Sequence, residues 1–151
     1  MTTVIDDRAA ISARGGSDPA VAWDARHWTL AADASEALRL RPAFRDYLVV
    51  HGHPGSDFHA AEVVYGELLA NCARHAPGPV RVEFRWADAT LAVIDGSDRL
   101  RSWPFSPDDW SAEATHHAYA LLSGLGRRVH LAREPSGGTR ASVVLPVLRR
   151  D

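Results

Sequence analysis

The sequence predicts an α+β fold, a two-layer sandwich with helices on one face of a mixed, mainly antiparallel sheet. Three observations carry this expectation. Residues 62–76 have helical spacing, with Val63, Val64, Leu68, Leu69 and Cys72 on an apolar side. Residues 80–86 alternate as a strand and lead through a short turn into a second strand, 91–94, which reads as an antiparallel hairpin. The elements run strand, helix, helix, strand, strand, loop, helix, strand, strand. That order lacks the βαβ rhythm of a parallel sheet, and there is no GxxxxGK[ST] motif.

Taken in order, residues 1–22 are small, polar and glycine-containing, and read as a flexible leader broken by Gly15, Gly16 and Pro19. A short helix at 4–13 is an option within it. The remaining residues, 23–151, form a single domain. Residues 25–32 read as a strand, after which Asp33 or Ser35 suits a helix N-cap. Leu38, Phe44 and Leu48 carry helical spacing over 34–50, with Pro42 placed to divide or kink it. HGHPGSD, 51–57, is a turn, and Ser56 or Asp57 starts the central helix. Pro77, Gly78 and Pro79 end that helix. The hairpin follows, with Ala87 and Asp88 at its turn and its second strand running into Asp95 and Gly96. Residues 97–109 are a loop, 111–125 a helix and 127–131 a strand. A hairpin turn at 134–138 leads to a last strand, 140–148, in which Pro146 marks an edge or an end.

A chain of 151 residues can bury a real core as one domain, and 46% hydrophobic with 24% charged residues is ordinary for a globular protein. A net charge of −2 gives no reason to expect nucleic acid as a partner. The single cysteine, Cys72, excludes an intramolecular disulfide and reads as a small buried hydrophobe. No apolar run approaches a membrane span, and the N-terminus has no basic-then-apolar signal peptide. The expected location is the cytoplasm.

The central helix also carries the candidate chemistry. Glu67, Asn71 and His75 stand at i, i+4 and i+8, on one slowly drifting stripe. A solvated face more often carries Lys–Glu pairs, whereas here the basic neighbour is Arg74. A carboxylate can act as a general base, and an amide oxygen one turn on can ligate a hard cation such as magnesium. Together they suit phosphoryl transfer or hydrolysis. The competing reading is a surface helix with a capping Asn near its end. His75 reads as a structural partner at that end. His51, His53 and His59 lack a compact ligand motif with Cys and read as an exposed, His-rich turn. Trp103, Phe105 and Trp110, in the loop over the pocket, read as core anchors of a closed lid, with an exposed partner surface as the alternative.

Three stretches resemble one family. ELLANCARHA, 67–76, is similar to the N box of the GHKL (Bergerat-fold) ATPases, in the form found in bacterial anti-sigma-factor serine kinases. LAVIDGS, 91–97, resembles the box that supplies the adenine-binding aspartate. SGGTRASVVLP, 136–146, resembles the final hairpin, where a Thr after the glycines enters the nucleotide site. The resemblance spans 28–148 in the family's order. It implies a histidine-kinase/Hsp90-like ATPase fold with ATP and Mg2+ as cofactors. It also implies that Asn71 holds the magnesium, Glu67 is the general base, and Asp95 accepts from the adenine amino group with support from Thr139. The implied partners are a sigma factor or an anti-anti-sigma (STAS) protein, and a homodimer is common among relatives.

The chain also departs from the family. Asp95, Gly96, Ser97, Asp98 and Arg99 stand where DxGxG is usual; Asp95, Ser97 and Pro104 fit a DxS-plus-Pro variant, which makes Ser97 a candidate contact. At the expected phosphate-wrapping GxGL stands THHAYALL, 115–122, with His116 and Ala118 at the glycine positions. Losing two charge-assisted backbone contacts, at ~1.5–3 kcal/mol each, weakens nucleotide binding by ~10²–10⁴-fold. His116 and His117 are candidate replacement donors to phosphate; the blander reading is a degenerate lid. Two functions follow from the resemblance. One is an ATP-binding serine/threonine protein kinase of the anti-sigma type, acting by partner switching. The alternative is a non-catalytic protein-binding module with weak or lost nucleotide binding.

Overall fold

Six strands form one sheet in the computed structural model, which describes residues 20–96 and 129–151. The elements are β1 (Ala20–Trp23), β2 (His27–Asp33), α1 (Ala34–Arg39), α2 (Arg41–His51), α3 (Phe58–His75), β3 (Pro79–Arg85), β4 (Thr90–Asp95), β5 (His130–Arg133) and β6 (Thr139–Val144). The strand order is β1-β2-β3-β4-β6-β5. Every pairing among the described residues is antiparallel, which corrects the expectation of a mixed sheet. Tight turns join β1 to β2, β3 to β4 and β5 to β6, and a tight turn can only reverse the chain. The expected loop 97–109, the helix 111–125, Ser97, His116 and His117 lie outside the described residues, as do the first nineteen residues of the expected leader.

Strand β1 occupies the end of the segment that the sequence assigns to the leader. Its small residues give little strand signal, so the decisive contacts are tertiary. Ala20 to Trp23 pair with Ala31 to Trp28, and the Trp23 ring packs on those of Tyr47 and His51. Asp24 closes the turn by accepting the amides of Arg26 and His27 at 2.7 and 2.9 Å. Pro42 does divide the helical stretch: α1 ends at Leu40, and Pro42 sits in the first turn of α2, where its missing N–H costs nothing. The amide of Ala34 at the start of α1 donates to the Gly78 carbonyl at 3.0 Å, so no side-chain cap from Asp33 is used. Asp57 caps α3 by accepting from the Ala60 amide at 3.0 Å. Strand β6 stops at Val144, short of Pro146, and β5 sits later than the expected 127–131.

Alternation along the strands separates two faces. The inner face carries Trp28, Leu30, Val82, Phe84, Leu91, Val93, Ala141 and Val143, all buried beneath the helices. Helix α1 lies on β2 and β3, and α3 packs against both α1 and α2. Phe44 from α2 stacks on Tyr65 from α3 at 4.6 Å, with Trp28 and Phe84 edge-on to it at 5.1 and 5.7 Å. Buried rings in these geometries add to plain area burial. The outer face carries charge. Arg81 pairs with Glu83, and Arg140 bridges Glu83 and Glu134, at 2.6 to 3.3 Å, over the small buried Ala92.

Candidate functional site

The site begins with a backbone constraint. In the β5–β6 turn, Glu134 donates its amide to the Gly138 carbonyl at 3.0 Å and accepts from Gly137 at 2.9 Å. Gly137 and Gly138 have φ of 98° and 92°, a region that favours glycine. A Cβ on Gly138 would lie 2.5 Å from the Asp95 carbonyl oxygen and 2.9 Å from Gly96 Cα. The absence of a side chain lets the hairpin lie against the end of β4. Thr139 is thereby set directly across from Asp95 in the ladder. Directly opposed side chains have their Cβ atoms about 5 Å apart, so hydroxyl and carboxylate are within each other's reach.

Helix α3 supplies the other candidate residues. Its flanks differ. Glu62 meets Arg41 and Arg45 of α2 at 3.4 and 3.3 Å, and the space beside Gly66 is filled by Arg41. At 100° per residue, Asn71 lies on the flank roughly opposite to that arginine contact, with Glu67 and Arg74 about 40° and 60° round from it. Cys72, on the underside of α3, is fully buried; burial foremost, and then the negative charge of Asp95, push its thiol pKa well up. Cys72 is thus near enough to Asp95 to feel its charge. Glu67 is half-buried and lies about 6 Å further back along the helix axis than Asn71.

Among the described residues, three polar or charged side chains are buried: Asn71 at 4%, Asp95 at 2% and Thr139 at 4% exposure. All three belong to the set singled out from the sequence. Burying a polar group is costly unless it is satisfied, so polar groups are sparse in cores built for stability. His75 is largely exposed, and the partial desolvation of its ring first, and the Arg74 charge second, lower its pKa. The histidine-rich turn uses His53 locally: its Nδ1 accepts from the Gly55 amide at 2.9 Å. No group of three or more His, Cys, Asp or Glu converges on a metal position among the described residues.

Two residues join the site that sequence reasoning did not assign to it. Arg74 donates from Nη1 to Asn71 Oδ1 at 3.2 Å; its i+3 spacing from Asn71 was the available signal. Arg133 is the cross-strand partner of Thr139 on the far side, so Asp95, Thr139 and Arg133 share the inner face. A concavity of about 230 Å³ is lined by Leu131, Ala132, Arg133 and Thr139. Only strand register could have revealed Arg133.

The donor set is chemically suited to a hard cation. Asn71 and Glu67 offer oxygen atoms one helical turn apart, and magnesium commonly takes one or two protein oxygens with substrate phosphates completing its shell. The carboxylate–hydroxyl pair of Asp95 and Thr139 suits an exocyclic amine as donor. Comparisons with protein-family models, with curated proteins and with solved structures gave no match. No helix among the described residues is long and apolar enough to cross a membrane.

Proposed function

We propose that this chain is an ATP-binding regulatory protein with a GHKL-type fold, similar to anti-sigma-factor serine/threonine kinases. It works in the cytoplasm by partner switching on a sigma factor or a STAS protein. The observation that carries the reading is the burial of Asn71, Asp95 and Thr139, with Asp95 and Thr139 paired across β4 and β6. Three polar side chains inside an otherwise apolar layer favour a polar ligand there over a purely structural role.

In this reading Asp95 accepts the adenine amino group and Thr139 orients its carboxylate. Asn71 and Glu67 present oxygen towards the phosphate end. Magnesium, when bound through Asn71, supplies charge neutralisation between the phosphates. Glu67 takes the proton of the attacking hydroxyl, and its half-buried position one turn from Asn71 fits that task. The long axis of the site then runs from the β4–β6 end to the middle of α3.

A calorimetric titration with Mg-ATP tests the proposal. Saturable binding is expected, weakened about 10–100-fold by Asp95→Asn, which replaces a charged acceptor by an amide. Tight binding of a non-nucleotide ligand with no response to ATP would sink it. The second reading, a non-catalytic module, is favoured by His116 and Ala118 at the glycine positions. A phosphotransfer assay with radiolabelled ATP and a candidate STAS protein separates the two.

A further inference from the structure

Arg140 follows Thr139 in β6, so the two side chains lie on opposite faces of the sheet. Thr139 shares the inner face with Asp95, and Arg140 stands on the outer one. Its Nε donates to Glu134 Oε2 at 2.7 Å, and its Nη2 donates to Glu83 Oε1 at 3.3 Å. Glu134 closes the β5–β6 turn through its backbone bonds with Gly137 and Gly138. Glu83 belongs to β3, on the far side of β4 from β6. The guanidinium therefore bridges a whole strand, and Ala92, opposite Glu83 in β4, is small enough to lie beneath it. Arg81 holds the other oxygen of Glu83 at 2.6 Å, which fixes that carboxylate as an anchor. The side chains of Arg140, Glu83 and Glu134 are 26%, 21% and 15% exposed, so water screens this network less than an open surface pair. The turn it holds is the one that seats Gly138 against the Asp95 carbonyl.

We infer that Arg140 is the positioning residue of the Asp95–Thr139 pair. By tying the β5–β6 turn to β3 from the outer face, it keeps the hairpin seated on the end of β4. The effect on a ligand rests on the nucleotide reading; the effect on the pair does not. When the tie is released the turn lifts, and Thr139 loses its fixed place across from the carboxylate. The tie is ionic, so its strength follows the salt. The Debye length shrinks from about 10 Å at 0.1 M to about 3 Å at 1 M.

The test follows the full chain by NMR in the wild type, Arg140→Gln, Arg140→Lys and Glu134→Gln. The Glu134 and Gly137 amides, whose bonds close the turn, report its opening by hydrogen exchange. Both should exchange about fivefold faster in Arg140→Gln and Glu134→Gln, with Arg140→Lys between them and the wild type. Raising the salt from about 0.1 to 1 M should speed the wild-type turn and leave Arg140→Gln unmoved. Three-bond couplings about the Thr139 Cα–Cβ bond should show one rotamer in the wild type and averaging in Arg140→Gln. Leu48→Val, which loosens the buried core from α2, should leave the turn amides and the Thr139 couplings alone. Thr139 couplings that stay the same in Arg140→Gln overturn the inference. So does turn exchange that quickens as much in Leu48→Val, since the turn then opens only with the whole fold. Mg-ATP titrations are run on the same proteins. Moved couplings with no ATP binding in any protein uphold the inference and sink the nucleotide reading. Equal ATP binding in all, with unmoved couplings, does the reverse.

Discussion

Glu67 and Asn71 stand one turn apart, yet their proposed tasks separate by when each contact is made. A general base meets its hydroxyl mainly in the transition state, whereas a metal ligand acts already in the bound state. Glu67→Ala should therefore cut phosphotransfer by ~10²–10⁴-fold while leaving nucleotide affinity within about tenfold. Asn71→Ala should weaken Mg-ATP binding instead, and calorimetry beside single-turnover kinetics distinguishes the two. His75 offers a test of the local field. Its pKa lies below the ordinary 6.5 because of burial first and the Arg74 charge second. As pH falls below 6.5 the unfolded chain takes up this proton before the folded one does. Protonation thus disfavours the fold across the window from 6.5 down to the folded value, and the stability is intact above it. An NMR titration should place the midpoint below 6.5, and Arg74→Ala should return it only part of the way, since burial is the larger cause. The polar trio was legible in the sequence because each member lies in a short motif. Arg74 was not, because its contact depends on a side-chain conformation that spacing permits but does not require.

At the scale of elements, the β5–β6 hairpin does most to shape the site. Gly138→Ala brings a Cβ within 2.5 Å of the Asp95 carbonyl oxygen at a φ of 92°. The cost should be about 2–3 kcal/mol, or roughly 5–10 °C in Tm. Gly137→Ala has a similar φ but open space around its Cβ, so strain acts alone and the loss should be about 1 kcal/mol. Thermal unfolding of both variants checks the difference. Helix α3 and the β3–β4 hairpin were readable because their apolar periods, near 3.6 and 2, persist over many residues. Strand β1 was not, since alanines at 20 and 22 fit a leader as well as a strand, and only pairing with β2 decides. The end of β6 was misplaced beyond Val144 because Leu145 and Val147 are buried without being in a strand; Leu145 donates its amide to the Ala89 carbonyl at 2.8 Å instead.

For the molecule as a whole, the aromatic contact of Phe44 with Tyr65, Trp28 and Phe84 ties α2, α3, β2 and β3 into one core. Phe44→Ala should lower unfolding free energy by about 3–5 kcal/mol, seen as a lower denaturant midpoint with little change in slope. The site lies at the β4–β6 side, away from this cluster, so the loss should be read in stability before it is read in ligand affinity. The α+β class was legible from element order; the antiparallel pairing of every described strand was not, because which strands become neighbours is decided by tertiary closure. That closure sets a schedule for synthesis. Strand β6 lies between β4 and β5, although it follows both in the chain. While the ribosome is still adding residues before Thr139, β4, with Leu91 and Val93, lacks its β6 neighbour, and β5 lacks the one neighbour it has among the described residues. A nascent chain therefore carries Asp95, one of the three buried polar residues, on an open, adhesive margin, the kind of surface that holdase chaperones shelter. The Asp95–Thr139 pairing and the shielding of that margin arrive together, in the few residues of one late strand.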